Sequence, residues 1–249
     1  MPRADFGRKG DPVYFDRSEF LGLADVPPRF LYRTGNHVTV LGPTESGKTW
    51  LSYQLLEVVA RPSLPAIVMV MKPRDKTALD WSRKLEMRVV RSWPPVRRPF
   101  AAPPNGWTLW PRHTFDPDID DPHLTNVFRA AMLDSYRRGG RILFADEIAG
   151  LVTELGLGRP AKAIWMRGRS MGCGLWAASQ RPVDVPLLAY SSAEHLFLAH
   201  EPDKRGRDRF DEIGGQEDPG RVKNLVARLG KHEFLYLRRT GRRICVVGP

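Results

Sequence analysis

An α/β fold with a mostly parallel central sheet, covered by helices on both faces, is what this sequence of 249 residues predicts. Three observations carry that expectation. Short apolar runs of strand length alternate with segments whose apolar residues recur at helical spacing, the pattern of a parallel sheet buried on both sides. A Gly-rich turn, Gly42 to Thr49, follows one apolar run and precedes a helical one. Two adjacent acids, Asp146 and Glu147, end another apolar run.

Taken in order, residues 1–35 are polar, charged and Pro-bearing, and read as an arm or loosely packed cap. Val38–Leu41 is a buried strand running into Gly42–Pro43. Leu51, Leu55, Val58 and Val59 place a helix over Lys48–Ala60. Ala66–Met71 is a second strand, stopped at Lys72–Pro73, and Thr77–Met87 a helix. Residues 92–122, rich in Pro, Trp and Arg, form an insert in which Ser92–Pro95 cannot continue a helix; Trp107–Trp110 is a short strand inside it. A helix over Leu124–Tyr136 leads to a strand over Arg141–Ile148. A helix over Pro160–Met171 precedes strands at Leu175–Ser179 and Leu196–Ala199. Phe234–Leu237 and Ile244–Val247 make a hairpin around Thr240–Gly241 that extends the sheet at one edge.

The chemistry concentrates in three places. Gly42-Pro43-Thr44-Glu45-Ser46-Gly47-Lys48-Thr49 matches the phosphate-loop pattern in full. Glycines let the backbone curl so that its N–H groups face phosphate oxygens, and the following helix adds its positive end. Lys48 then neutralises β- and γ-phosphate charge, and the Thr49 hydroxyl coordinates Mg²⁺. Asp146, at a strand's carboxyl end, is expected to hold that metal ion. Glu147 is the candidate general base for an attacking water, which favours ATP hydrolysis over transfer to a small substrate. Gln180, at the end of the Leu175–Ser179 strand, is expected to reach toward the γ-phosphate and report hydrolysis. Trp93, Arg97, Arg98, Trp107, Trp110 and Arg112 mix cations with rings, as nucleic-acid grooves do, although Pro-rich loops also pack their own tryptophans.

These motifs together resemble the FtsK–HerA superfamily of hexameric DNA-pumping ATPases. The carriers are the phosphate loop, Leu143-Phe-Ala-Asp-Glu147, and the stretch from Arg169 through Gly172, Gly174 and Trp176 to Gln180-Arg181-Pro182. The resemblance spans about residues 36–215 and implies a RecA-like domain over 36–249, a homo-oligomeric ring and an arginine acting in trans, matched best by Arg169 and next by Arg167. The compact length is similar to that of viral genome-packaging ATPases. On this reading the protein uses ATP with Mg²⁺ to move double-stranded DNA in the host cytoplasm, with a capsid or portal protein as docking partner. The alternatives are a DNA-transfer translocase of a mobile element and a membrane-associated phage assembly or export ATPase. A nucleotide switch without motor function has no need of Glu147.

Composition sets the bounds. Hydrophobic residues at 42% and charged residues at 27% fit a globular chain, and no apolar run approaches the roughly 20 residues that span a bilayer. Cys173 and Cys245 form no metal-ligand pattern, and a disulfide between them is not expected in a reducing compartment. A net charge of +11 favours a polyanionic partner.

Overall fold

The computed structural model describes residues 10–23, 26–96, 100–213 and 219–249. In chain order the elements are β1 (Val13–Phe15), α1 (Arg17–Leu21), β2 (His37–Leu41), α2 (Lys48–Val59), β3 (Ala66–Met69), α3 (Lys76–Lys84), β4 (Arg88–Val90), β5 (Gly106–Leu109), α4 (Pro117–Arg138), β6 (Arg141–Ala145), α5 (Ile148–Thr153), α6 (Gly158–Arg167), β7 (Cys173–Ser179), α7 (Leu187–Ser191), β8 (Ala193–Ala199), α8 (Lys204–Ile213), α9 (Pro219–Ala227), β9 (Phe234–Arg238) and β10 (Arg243–Val247). The fold is α/β, with mostly parallel strands flanked by helices, as in RecA-like P-loop NTPases. It divides into two units. The first holds the described residues through Tyr32 with Val38–Leu55 and Ala178–Pro249, the second Arg33–His37 with Leu56–Ala177.

In the second unit the strand order is β7-β6-β3-β5-β4, and every pairing is parallel. Strands buried on both faces need no alternation of polar residues, which is why Ala66–Met69 and Ile142–Ala145 read as unbroken apolar runs and are fully buried. Parallel pairing also puts the carboxyl ends of β3, β4, β5 and β6 on one edge of the sheet. Two aspartates start helices here: Asp75 accepts from the Ala78 N–H at 2.8 Å, and Asp116 accepts from the Asp118 N–H at 3.1 Å. Such caps contribute about 1 kcal/mol each. Because Asp116 caps and Pro117 occupies the first helical position, α4 starts seven residues before the expected Leu124. The strand expected to run to Ile148 ends at Ala145, since Asp146 and Glu147 leave the ladder and Ile148 is buried as the first residue of α5.

In the first unit the order is β1-β10-β9-β8-β2. The predicted hairpin is present, with Arg243 opposite Arg238 and Val247 opposite Phe234. It is not the edge of the sheet: β1 pairs parallel to β10, Val13 beside Cys245. A three-residue strand flanked by charges carries too little periodicity to be seen in sequence. The core of this unit is aromatic. Phe20 meets Tyr236 edge-on at 4.9 Å and Phe197 at 6.0 Å, and all three side chains are buried. Both cysteines are unpaired and buried, and burial pushes each thiol up to about 12.

Two histidines are buried within strands. His37 Nδ1 accepts from the Leu175 N–H at 3.0 Å, and burial lowers its pKa to about 4. His195 bonds the Tyr236 hydroxyl at 2.8 Å, and burial lowers its pKa to about 3. Both therefore fold neutral. The unfolded chain takes up these protons near pH 6.5 and the folded chain does not, so stability is full above that pH and falls as pH drops toward 4. For His37 alone the loss is on the order of 3 kcal/mol. Urea unfolding across this window is expected to show the midpoint falling on acidification, with a shallower fall in His37→Gln; equal slopes would contradict a neutral buried imidazole.

Candidate nucleotide site

The phosphate-loop residues lie where β2 turns into α2. At Gly42 the turn is crowded: a Cβ there would stand 2.5 Å from Ser46 Oγ and 2.7 Å from Ala199 Cβ. The Gly42 N–H is held by the Ser179 carbonyl at 3.2 Å, and the Ser46 N–H returns to the Pro43 carbonyl at 3.2 Å. Glu45 and Gly47 both take positive φ, 63° and 89°. A glutamate in the left-handed region costs on the order of 1 kcal/mol and persists only where the surroundings demand it. Lys48 is buried, at 8% exposure. The Ser46 hydroxyl is buried and has no hydrogen-bond partner among the described residues. The first N–H groups of any helix lack partners inside it, so α2 opens with donors aimed out of its end. A curled loop of N–H groups, an orphaned buried hydroxyl and a buried cation fit a bound phosphate chain.

Gln180 comes to this loop directly. The Thr44 hydroxyl donates to Gln180 Oε1 at 2.8 Å, which ties the end of β7 to the phosphate loop. His232 stands on its other side, and a Cβ at Gly47 would meet His232 Nδ1 at 3.0 Å. The His232 turn is fixed by Arg17, which donates to the His232 carbonyl at 2.8 Å and to Gln54 of α2 at 3.3 Å. No motif marks His232 or Arg17, and their approach depends on chain segments far apart in sequence.

In the second unit, Asp146 and Glu147 follow β6, half-buried, with Glu147 at the N-cap position of α5. Lys72 Nζ lies 3.6 Å from Asp146 Oδ2 and 3.8 Å from Asp75 Oδ2. In the sequence Lys72 marks only the end of a strand. Its signal was present: it is the first cation beyond the strand beside β6. Arg169 sits exposed on the 3-10 turn Gly168–Met171 after α6, whose backbone packs on Gly35. Arg167 instead places its guanidinium 6.0 Å from the Tyr136 ring centroid. Within the insert, Trp93 and Trp107 pack edge-on at 5.5 Å with Arg141 against both rings, so these two tryptophans are spent on packing. Trp110 and Arg112 border a separate cleft, and Arg97 and Arg98 lie outside the described residues.

No protein-family model matches the chain, and no curated protein matches it either. Among solved structures, the genome packaging NTPase B204 of Sulfolobus turreted icosahedral virus 2 superposes with a TM-score of 0.63 at 15% identity, covering 87% of this chain and 99% of that one. VirB4 of Thermoanaerobacter pseudethanolicus gives 0.63 at 12% identity, over 84% and 88% of the two chains. The cytoplasmic domain of the Thermomonospora curvata Type VII secretion ATPase EccC gives 0.55 at 17%, covering 98% of this chain and 29% of that one. At these identities the likeness is one of fold. The shared fold is one that NTPases use, which agrees with the α/β architecture that the motifs imply.

The crowding at Gly42 makes a direct test. Gly42→Ala is expected to cost about 1–3 kcal/mol of stability through overpacking. It should also weaken binding of a non-hydrolysable ATP analogue at least tenfold, measured by titration calorimetry. Unchanged affinity would show that the turn opens freely and is not the phosphate cradle.

Proposed function

We propose that this chain is an ATP-hydrolysing DNA translocase that works as a ring, most simply a hexamer, to package a viral genome. The observation that carries the reading is the phosphate loop itself: Gly42 wedged against Ala199, Ser46 orphaned, Lys48 buried and Gln180 bonded to Thr44. The fold shared with B204, a genome packaging NTPase studied with AMPPCP and with ATP-gammaS, supports both the nucleotide and the role. The excess of cations supports a nucleic-acid partner. Residues 36–249 would be the motor domain. Residues 1–35 would be an arm or cap, and its described part adds β1 to the sheet and Phe20 to the core of the first unit. Among the described residues no helix is long and apolar enough to cross a membrane, which fits action in the host cytoplasm with a capsid or portal protein as docking partner.

In this mechanism the loop N–H groups and Lys48 bind and orient the triphosphate. Thr49 and Asp146 offer hard oxygen donors that suit Mg²⁺, and among the described residues no group of three acids, histidines or cysteines forms a metal cage. That donor set suits an ion which keeps waters and phosphate oxygens as ligands. Mg²⁺, when bound, would neutralise charge on the β- and γ-phosphates. Glu147 takes the proton from the attacking water. Gln180, held by Thr44, senses whether the γ-phosphate is present. Arg169, exposed on its turn, is the residue that a neighbouring subunit would meet.

Lys48→Ala is expected to abolish hydrolysis and weaken ATP binding, whereas Glu147→Gln should bind ATP with near-wild-type affinity and hydrolyse it at least 100-fold more slowly. Phosphate release measured with and without duplex DNA tests the whole reading. DNA should stimulate the wild type and neither variant. An unstimulated wild type argues for the alternative of a membrane-associated phage assembly or export ATPase.

Arg169 is tested by mixing. Arg169→Ala and Lys48→Ala proteins should each be inactive, yet mixed rings contain seams with an intact Lys48 on one side and an intact Arg169 on the other. Partial recovery of hydrolysis is expected, since a trans arginine contributes about 10³–10⁵ in rate. No recovery in rings shown by mass spectrometry to be mixed would rule out action in trans.

A further inference from the structure

The second unit carries a cleft of about 300 Å³ at the carboxyl ends of β3, β4 and β5, lined by Pro73, Arg91, Trp110, Pro111, Arg112 and Phe115. Its walls are cationic and aromatic. The Arg91 guanidinium lies 5.6 Å from the Trp110 ring centroid and donates to the Trp110 carbonyl at 2.7 Å. Arg74 lies 5.7 Å from the Phe115 ring centroid. Arg74, Arg91 and Arg112 are exposed, and Phe115 is 66% exposed.

The cleft is built rather than loose. Phe115 takes φ of 69°, a conformation a bulky side chain adopts only under constraint. The constraint is Asp120, buried in α4, whose two carboxylate oxygens accept from the Thr114 N–H at 2.8 Å, the Thr114 hydroxyl at 2.9 Å and the Phe115 N–H at 3.0 Å. These bonds, the Thr114 N–H foremost, hold the Asp120 carboxyl below its ordinary range even though burial opposes it. Two more bonds lock the loop to the end of β3: His113 Nε2 to the Met71 carbonyl at 2.9 Å, and Trp110 Nε1 donating to the Lys72 carbonyl at 2.9 Å. The arrangement displays an apolar residue on the surface in a strained backbone and surrounds it with arginines. Packing alone explains Trp93 and Trp107; it does not explain Phe115.

We propose that this cleft is a contact site for the phosphodiester backbone of DNA, with Arg74, Arg91 and Arg112 on phosphate oxygens and the Phe115 ring against a sugar or base. Charge complementarity selects this occupant. Arg91 and Arg112 line the cleft, Arg74 stands against the ring of its Phe115, and the buried Asp120 carboxylate has both oxygens engaged inside the loop. Lys72 joins the cleft to the proposed hydrolytic acids, since its carbonyl receives Trp110 and its ammonium faces Asp146. The proposal rests on the translocase reading and names the residues through which that reading works.

The test is duplex binding by anisotropy between about 50 and 200 mM salt, where each phosphate contact contributes about 0.9 to the slope of log affinity on log salt. The double variant Arg74→Gln/Arg112→Gln should hydrolyse ATP without DNA at the wild-type rate, bind duplex at least tenfold more weakly, and show a slope shallower by about 2. Phe115→Ala should weaken binding several-fold and leave the slope unchanged. A folded double variant with wild-type affinity and slope overturns the cleft while leaving the translocase reading intact. A wild type that binds no DNA at any salt sinks both together. Loss of ring assembly in sedimentation, with DNA affinity per ring unchanged, also overturns the proposal and assigns the cleft to a second copy of the chain.

Discussion

No Cβ fits at Gly42. The absence of that one atom lets β2 end in a turn tight enough for Ser46 to fold back over it, with Ala199 of β8 closing the other side. The direction in which α2 leaves, the burial of Lys48 and the reach of Thr44 to Gln180 all follow from that turn. The strain it imposes is borne at Glu45, and Gly47 takes its positive φ freely because it has no Cβ. The loop is also braced from outside by the Arg17–His232–Gln54 set, so it is held in shape by protein contacts alone. A site that must receive a highly charged ligand gains from donors already in place, because no reorganisation is then needed when charge arrives.

Much of this was legible in the sequence, for a physical reason. β2, β3, β6 and β7 are largely buried on both faces, so they read as mainly apolar runs, and the phosphate loop is local enough to be complete within eight residues. The elements that escaped notice are short or polar. β4 has three residues, and α8 is dominated by Lys, Arg, Asp and Glu. β8 was seen only from Leu196 because Glu194 and His195 look out of place in a core. Their partners, Arg238, Thr240 and Tyr236, come from β9 and the hairpin turn, about 40 residues on, and only the tertiary pairing reveals them. Lys72 escaped for a related reason. A lysine after a strand is common, and its meaning depends on Asp146, which follows the neighbouring strand β6 and is far away in sequence.

The insert shows how composition can mislead in both directions. One property, tryptophan among arginines, serves two purposes. Arg141 lies against both the Trp93 and Trp107 rings, and Asp134 completes the set by accepting from Trp93, Arg138 and Arg141. That cluster is structural. Beyond the end of β5 the same residue types stand at the surface, where they can meet something else. Sequence cannot separate the two uses because β5 runs between them.

The Asp120 tether has a kinetic meaning. A contact loop that is already ordered asks a ligand for no folding step, so the entropy of ordering is spent during synthesis of the fold and not at each encounter. Contacts of this kind form and break quickly, with residence times governed by charge and ionic strength rather than by loop closure. On the translocase reading proposed above, a machine that must grip a polymer and release it many times in succession is better served by such a stiff, shallow hold than by a deep embrace.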